Sequence, residues 1–258
     1  MAALADTLKN PPMSSAGPEL DRFRPGTVLE GVYELRHEIG TGGMALVFEA
    51  WDRRLRRGVA IKVPRRLEHA ETMLIEAQAL ASVRHRGVPV VYTLGLHLEV
   101  PYVVMERLHG TSLARHMVTR AGTERHFAID EVTRLMIALA DALGAVHAAG
   151  IVHRDVKPEN VMLAPDGRVV LMDFGLMLVP ATHHGAIGYA SGTPEYMAPE
   201  SAADVIRREE AHLVDVYALG VLGFELLTGR VPYRGHAALE VMRAHIHAPV
   251  PEVLDHRP

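Results

Sequence analysis

His153-Arg154-Asp155-Val156-Lys157-Pro158-Glu159-Asn160, with Asp173-Phe174-Gly175 a short way downstream, is the stretch that decides how this chain is read. Asp155 is a carboxylate able to orient a hydroxyl and accept its proton, and Asn160 offers an amide oxygen suited to a hard divalent cation. Val161–Leu163 and Arg168–Met172 read as two short strands turned by Pro165-Asp166-Gly167. That hairpin brings Asp173 back, where its carboxylate serves the same cation. A base and two oxygen ligands assembled this way suit phosphoryl transfer without covalent chemistry on the protein. His-Arg-Asp alone would be an ordinary coincidence; the longer run followed closely by Asp-Phe-Gly would not.

On the N-terminal side of this loop, Ile129, Val132, Leu135, Met136, Leu139, Leu143 and Val146 recur at helical spacing, with Asp130 as the expected cap. On the C-terminal side comes an irregular stretch, Leu176 to Pro194, and then an apolar helix from Val214 to Leu227 that ends at Gly229. The first half of the chain has a different texture. Tyr33–Ile39, Leu46–Trp51, Val59–Val63, Val88–Leu94 and Tyr102–Met105 read as strands, and His69–Val83 between the third and fourth reads as a helix. Residues Asn10 to Pro25 are rich in proline, serine and glycine and read as a flexible leader.

Three features of the first half bear on chemistry. Gly40-Thr41-Gly42-Gly43 lies between two strand-like runs, where bare backbone can approach phosphates closely. No helix follows it, as a dinucleotide fingerprint requires, and the Lys-Ser/Thr of a P-loop is absent. Lys62 ends the apolar run Val59-Ala60-Ile61, and Glu76 on the following helix could hold it by a charge-assisted hydrogen bond. Each of these taken singly is equally well a hairpin, a snorkelling lysine or a solvated carboxylate.

Composition narrows the class. The 258 residues are 48% hydrophobic and 22% charged with a formal net charge of −4, which fits an ordinary globular protein and gives no reason to expect nucleic acid or an anionic membrane as partner. With no cysteine there is no disulfide framework, thiolate zinc site or cysteine nucleophile. The 16 histidines lack zinc-enzyme spacing with carboxylates and read as loop and surface residues. Asp6 interrupts any secretory h-region, and Asp215 and Glu225 interrupt the longest apolar stretch.

In order along the chain, Gly40–Gly43, Val59-Ala60-Ile61-Lys62, Glu76, His153-Arg154-Asp155, Asp173-Phe174-Gly175, Ala198-Pro199-Glu200 and Asp215-Val216-Tyr217-Ala218-Leu219-Gly220 resemble the motif set of the eukaryotic-like Ser/Thr protein kinases of bacteria, from about Val32 to Pro258. The resemblance implies an α+β, bilobal fold. After a leader over residues 1–27 it has an antiparallel-sheet N-lobe with one helix (28–106), then a mainly helical C-lobe (107–258) lacking its last helices.

The resemblance also implies roles. Gly40, Thr41, Gly42 and Gly43 would cover the ATP phosphates; Val47 and Ala60 would lie above adenine and Leu163 below. Lys62 would meet the α- and β-phosphates and pair with Glu76. Met105 would be the gatekeeper, and the backbone of Glu106 and Leu108 the adenine-binding hinge. Asp155 would be the base, Lys157 would steady the γ-phosphate, and Asn160 and Asp173 would hold magnesium, with manganese as an alternative. Lys157 and Gly192-Thr193-Pro194-Glu195-Tyr196 resemble the Ser/Thr-specific pattern.

Expected partners are protein substrates with Ser or Thr acceptors, and a second copy for autophosphorylation; the expected compartment is the cytoplasm. Arg154 beside the base suggests control by phosphorylation, with Thr182 and Ser191 as acceptors and Thr193 shaping the site beside Asp155. Ala45 replaces a glycine common in the family, and Leu176 to Tyr189 is poor in acceptors. Glu200 is expected to be a buried carboxylate without the arginine that usually pairs with it. The competing readings are a nucleotide-binding scaffold without turnover and a small-molecule phosphotransferase of similar fold.

Overall fold

The computed structural model describes residues 22–120, 126–174, 193–203, 206 and 208–255. Contacts divide the described residues into two units, those within 22–82 and 90–108, and those within 83–89 and 109–255.

In the first unit the β-branched runs form β1 (Val28–Leu29), β2 (Tyr33–Thr41), β3 (Ala45–Asp52) and β4 (Arg57–Pro64). After α1 (Ala70–Leu80) come β5 (Val91–His97) and β6 (Val100–Glu106). The strands pair antiparallel in the order β1-β2-β3-β4-β6-β5. Because side chains alternate along a strand, Phe48, Ala50, Val59, Ile61, Val63, Tyr102 and Val104 meet in one apolar core. Tyr102 is fully buried and lies across Gly95 so closely that a Cβ there would sit 2.1 Å from the ring.

Two of the boundaries that differ from the sequence expectation have a clear physical reason. Phe23, inside the supposed leader, is 3% exposed and belongs to the sheet core. Around it the Gly26 N–H donates to the Leu35 carbonyl at 2.7 Å, and the Leu35 N–H to the Thr27 carbonyl at 2.9 Å. The surrounding prolines and serines hid this single aromatic anchor. The strand expected from Val88, β5, begins at Val91, because Val83–Pro89 joins the second unit, where the Gly87 carbonyl accepts the Leu171 N–H at 2.8 Å.

The second unit contains β7 (Thr111–Ser112), α2 (Leu113–Arg120), α3 (Ile129–Ala148), β8 (Val161–Leu163) and β9 (Val169–Leu171). Then follow α4 (Pro199–Ala202), α5 (Leu213–Thr228) and α6 (Ala238–His247). The apolar stripe of α3 buries Val132, Leu135, Leu139, Leu143 and Val146 and packs on α5. Asp130 does not cap α3: Ala128 holds that position without a side-chain bond, and Asp130 pairs with Arg134 in the first turn at 3.0 Å. Helix α5 is buried on most sides and stops at Gly229, whose φ of 73° lets its N–H close on the Glu225 carbonyl at 2.7 Å. Among the described residues no helix is long and apolar enough to cross a membrane.

Candidate active site

In the first unit, strand register gathers the residues expected to meet a nucleotide. Val47 lies opposite Lys62, which lies opposite Val103; Glu49 lies opposite Ala60, which lies opposite Met105. Directly opposed residues share a face, so Val47, Ala60, Lys62 and Met105 line the face away from the Phe48–Val104 core. Helix α1 packs Met73 and Ala77 on that face, against Val103 and Met105. This delivers Glu76 to Lys62, whose Nζ donates to the two carboxylate oxygens at 2.7 and 2.9 Å. Both side chains are nearly sealed, at 9% and 7% exposure, so the charges compensate each other where water cannot.

Gly40 and Thr41 end β2, paired with Val47 and Leu46, and Gly42 and Gly43 enter the β2–β3 turn, closed by Gly42 N–H to the Ala45 carbonyl at 2.9 Å. None of the three glycines has a positive φ, and a Cβ at Gly42 or Gly43 would meet nothing closer than 3.5 Å. Neither backbone conformation nor internal packing calls for glycine here. What the missing Cβ atoms leave is clear approach from outside the chain. Glu106 anchors the end of β6 through its N–H to the Val90 carbonyl at 2.8 Å, and Leu108 is buried.

In the second unit the loop from His153 is built around Asp155. Pro158 opens a single 3-10 turn, Pro158–Asn160, that swings Asn160 back so that its Nδ2 donates to the Asp155 backbone oxygen at 2.8 Å and to Oδ2 at 2.9 Å. Lys157 Nζ lies 2.7 Å from the same Oδ2 and donates to Thr193 Oγ1 at 2.7 Å; Thr193 in turn donates to Asp155 Oδ1 at 3.2 Å. With its Nδ2 so engaged, Asn160 keeps Oδ1 free of any donor among the described residues. The β8–β9 hairpin carries the chain back, fixed by the Met172 N–H on the Asn160 carbonyl at 2.7 Å. Asp173 then takes a left-handed φ of 58°, which aspartate tolerates. Its carboxylate is exposed, and no described residue donates to it. Leu163 lies on β8, half-buried, paired with Thr111 and Val169.

Beneath this loop is a support the sequence motifs did not reveal. Asp215, on α5 and 1% exposed, accepts the N–H groups of His153 at 2.8 Å and Arg154 at 2.7 Å, and His147 Nε2 at 2.7 Å. Two successive peptide donors on one carboxylate hold Arg154 at a φ of 67°, a conformation unfavourable for arginine on its own. His153 is fully buried. It accepts the Asp155 N–H on Nδ1 at 3.2 Å, donates from Nε2 to the Met172 carbonyl at 2.9 Å, and packs its ring 4.5 Å from Phe174. One imidazole thereby fixes the spacing between Asp155 and the residue before Asp173. In the sequence Asp215 stands out as an acid in a mostly apolar run and as the start of the Asp215–Gly220 match, but neither says which loop it holds.

Elsewhere in this unit, Tyr196 donates to Glu225. Burial, then the Glu225 charge, pushes the Tyr196 phenol up; burial likewise pushes the Glu225 carboxyl up, reinforced by Glu159 and Glu195. Glu200 is half-buried rather than buried, without an ion-pair partner among the described residues, so solvent relieves much of the expected cost. Thr182 and Ser191 lie outside the described residues.

The family model for the protein kinase domain matches residues 33–255. The chain belongs to the protein kinase family. Among curated proteins this kinase domain is 36% identical over 239 residues to the probable serine/threonine-protein kinase pknA2 of Bifidobacterium longum, covering 89% of the chain and 30% of that protein. It is 36% identical over 239 residues to the serine/threonine-protein kinase PknA of Mycobacterium tuberculosis, covering 88% and 54%. PknL of the same organism is 37% identical over 230 residues, covering 87% and 56%. These relatives place it with the bacterial serine/threonine kinases, and it spans from under a third to just over half of their lengths.

Proposed function

We propose that this domain transfers the γ-phosphoryl group of ATP to serine or threonine hydroxyls of proteins, as a signalling enzyme acting in the cytoplasm. The observation that carries the reading is the Asp155 carboxylate, held on one oxygen by Thr193 and on the other by Asn160 and Lys157. A carboxylate fixed this firmly can receive an acceptor hydroxyl in one orientation and take its proton as the oxygen attacks phosphorus. The bond from phosphorus to the bridging β,γ-oxygen breaks, ADP leaves, and the proton passes from Asp155 to solvent. Lys157 Nζ, bound to Asp155 and Thr193 together, supplies a fixed positive charge for the oxygens of the transferring group.

Asn160 Oδ1 and the Asp173 carboxylate are hard oxygen donors left open, so they fit magnesium, which would neutralise phosphate charge. Among the described residues no group of three or more His, Asp or Glu gathers to hold a metal. Most of a magnesium shell would therefore come from phosphate oxygens and water. Lys62, held by Glu76, and the bare Gly40–Gly43 backbone suit the remaining phosphates. The serine/threonine-protein kinases it is similar to support the Ser/Thr preference.

The test is incorporation of labelled phosphate from ATP into a basic protein substrate, beside Asp155→Asn, followed by phosphoamino-acid analysis. Label on serine or threonine that falls at least a hundredfold in Asp155→Asn supports the reading. Equal label from both proteins would overturn it.

A further inference from the structure

Glu49 is a carboxylate on the sheet face that carries Lys62, in the same cross-strand row as Ala60 and Met105. A bare acid there would oppose a polyanionic ligand. It is not bare: Arg107 donates Nε to its Oε2 at 3.1 Å with Nη2 also at 3.1 Å, and Arg36 Nη1 reaches Oε1 at 3.3 Å. His37 Nε2 lies 3.9 Å from Oε2 on the rim. Burial alone would push Glu49 up, but the bonds and charge of Arg107, then Arg36, hold its carboxyl below the usual range. The pair is substantially screened from water, with Arg107 at 22% and Glu49 at 17% exposure.

The third nitrogen of the same guanidinium, Nη1, donates to the Leu108 carbonyl. Arg107 thus ties strand β3 to the backbone of its own neighbour, and that neighbour belongs to the segment Glu106–Leu108 whose peptide groups would read adenine. Backbone readout requires fixed dihedrals, and a chain leaving the end of a strand does not fix them by itself. We propose that Arg107 is a positioning residue for the nucleotide, acting through Glu49 to preset the Arg107–Leu108 backbone before ligand arrives. This rests on the nucleotide-binding reading above.

The experiment is calorimetric titration of the domain with ADP and magnesium, for wild type, Arg107→Met, Arg107→Lys, Glu49→Gln and the Glu49→Gln, Arg107→Met double variant, alongside steady-state kinetics. Releasing one backbone segment that must be reordered on binding corresponds to about a threefold to tenfold rise in Kd. Arg107→Met and Glu49→Gln are expected to show it, the double variant to be no weaker than Arg107→Met, and Arg107→Lys to fall between because an amine cannot fork. KM for ATP should rise by the same factor while kcat changes less than about twofold.

A Kd for Arg107→Met within twofold of wild type, or a fall in kcat with KM unmoved, overturns the inference while leaving nucleotide binding intact. Failure of the wild type to bind ADP overturns both. If Arg107→Met does not fold, Glu49→Gln, which keeps the shape, decides by the same criterion.

Discussion

Replacing Asp215 by Asn should loosen the loop that carries Asp155 without touching any residue of the chemistry. The carboxylate accepts three hydrogen bonds at 2.7–2.8 Å, two from consecutive peptide N–H groups, and is 1% exposed. Asn offers one oxygen and one NH2. If the oxygen keeps the Arg154 N–H, the NH2 faces the His153 N–H, and donor meets donor. His147 can change tautomer and accept, but a peptide cannot. The variant therefore strands one buried N–H, costing about 1–3 kcal/mol, and exchanges charge-assisted bonds for neutral ones at roughly 1 kcal/mol more.

We expect a loss of about 2–4 kcal/mol in urea unfolding, and a fall in kcat exceeding any change in KM for ATP, because Arg154 no longer has reason to keep its left-handed φ. His147→Gln, which removes only the third donor, should cost under about 1.5 kcal/mol. An Asp215→Asn protein within about 0.5 kcal/mol of wild type and fully active would show that the loop holds its shape by other means.

Three further outcomes follow from the same structure. Lys62→Met should destabilise by about 3 kcal/mol by leaving Glu76 buried and uncompensated, whereas the Lys62→Met, Glu76→Leu double variant should recover most of that loss; strict additivity in thermal or urea melts would refute the coupling. Gly95→Ala should cost about 2–4 kcal/mol, since the Tyr102 ring occupies the Cβ position and is itself fully buried, and a neutral result in urea unfolding would refute that packing. Glu225 has a folded-state pKa raised by burial, so its contribution to stability is full below the unfolded value of roughly 4.3 and is lost as pH rises through the higher folded value. Glu225→Gln, which still accepts from Tyr196, should match wild type near pH 4 and melt higher near pH 8; parallel curves across that range would refute it.

Much of the site could be read from residue order alone, because its parts are local. Asp155, Lys157 and Asn160 share one loop, and Pro158 sets the turn that folds Asn160 onto Asp155. Long-range supports were less legible. Asp215 lies 62 residues from the His153 N–H it accepts, and nothing in an apolar helix says which loop the acid in its first turn will hold. Nothing local marks Arg107, because a charged residue at a strand end is ordinarily solvated, and only register shows that Glu49 waits on the same face. Phe23 is silent for the opposite reason, as one aromatic carries no periodicity. Helices α2 and α6 leave little apolar pattern either, each burying only one or two side chains.

The short segment Val83–Pro89 has a consequence for how this chain can be divided. It lies between α1 and β5 in sequence, yet Val83, Val88 and Pro89 are buried in the helical unit, and Gly87 approaches Ala142 so closely that a Cβ there would stand 2.9 Å from it. No single cut therefore separates the two units. Residues 22–108 expressed alone would carry an apolar splint stripped of its seat, and residues 109–255 would carry an open seat without its splint. A clean division would have to cut on both sides of Val83–Pro89 and again after Leu108.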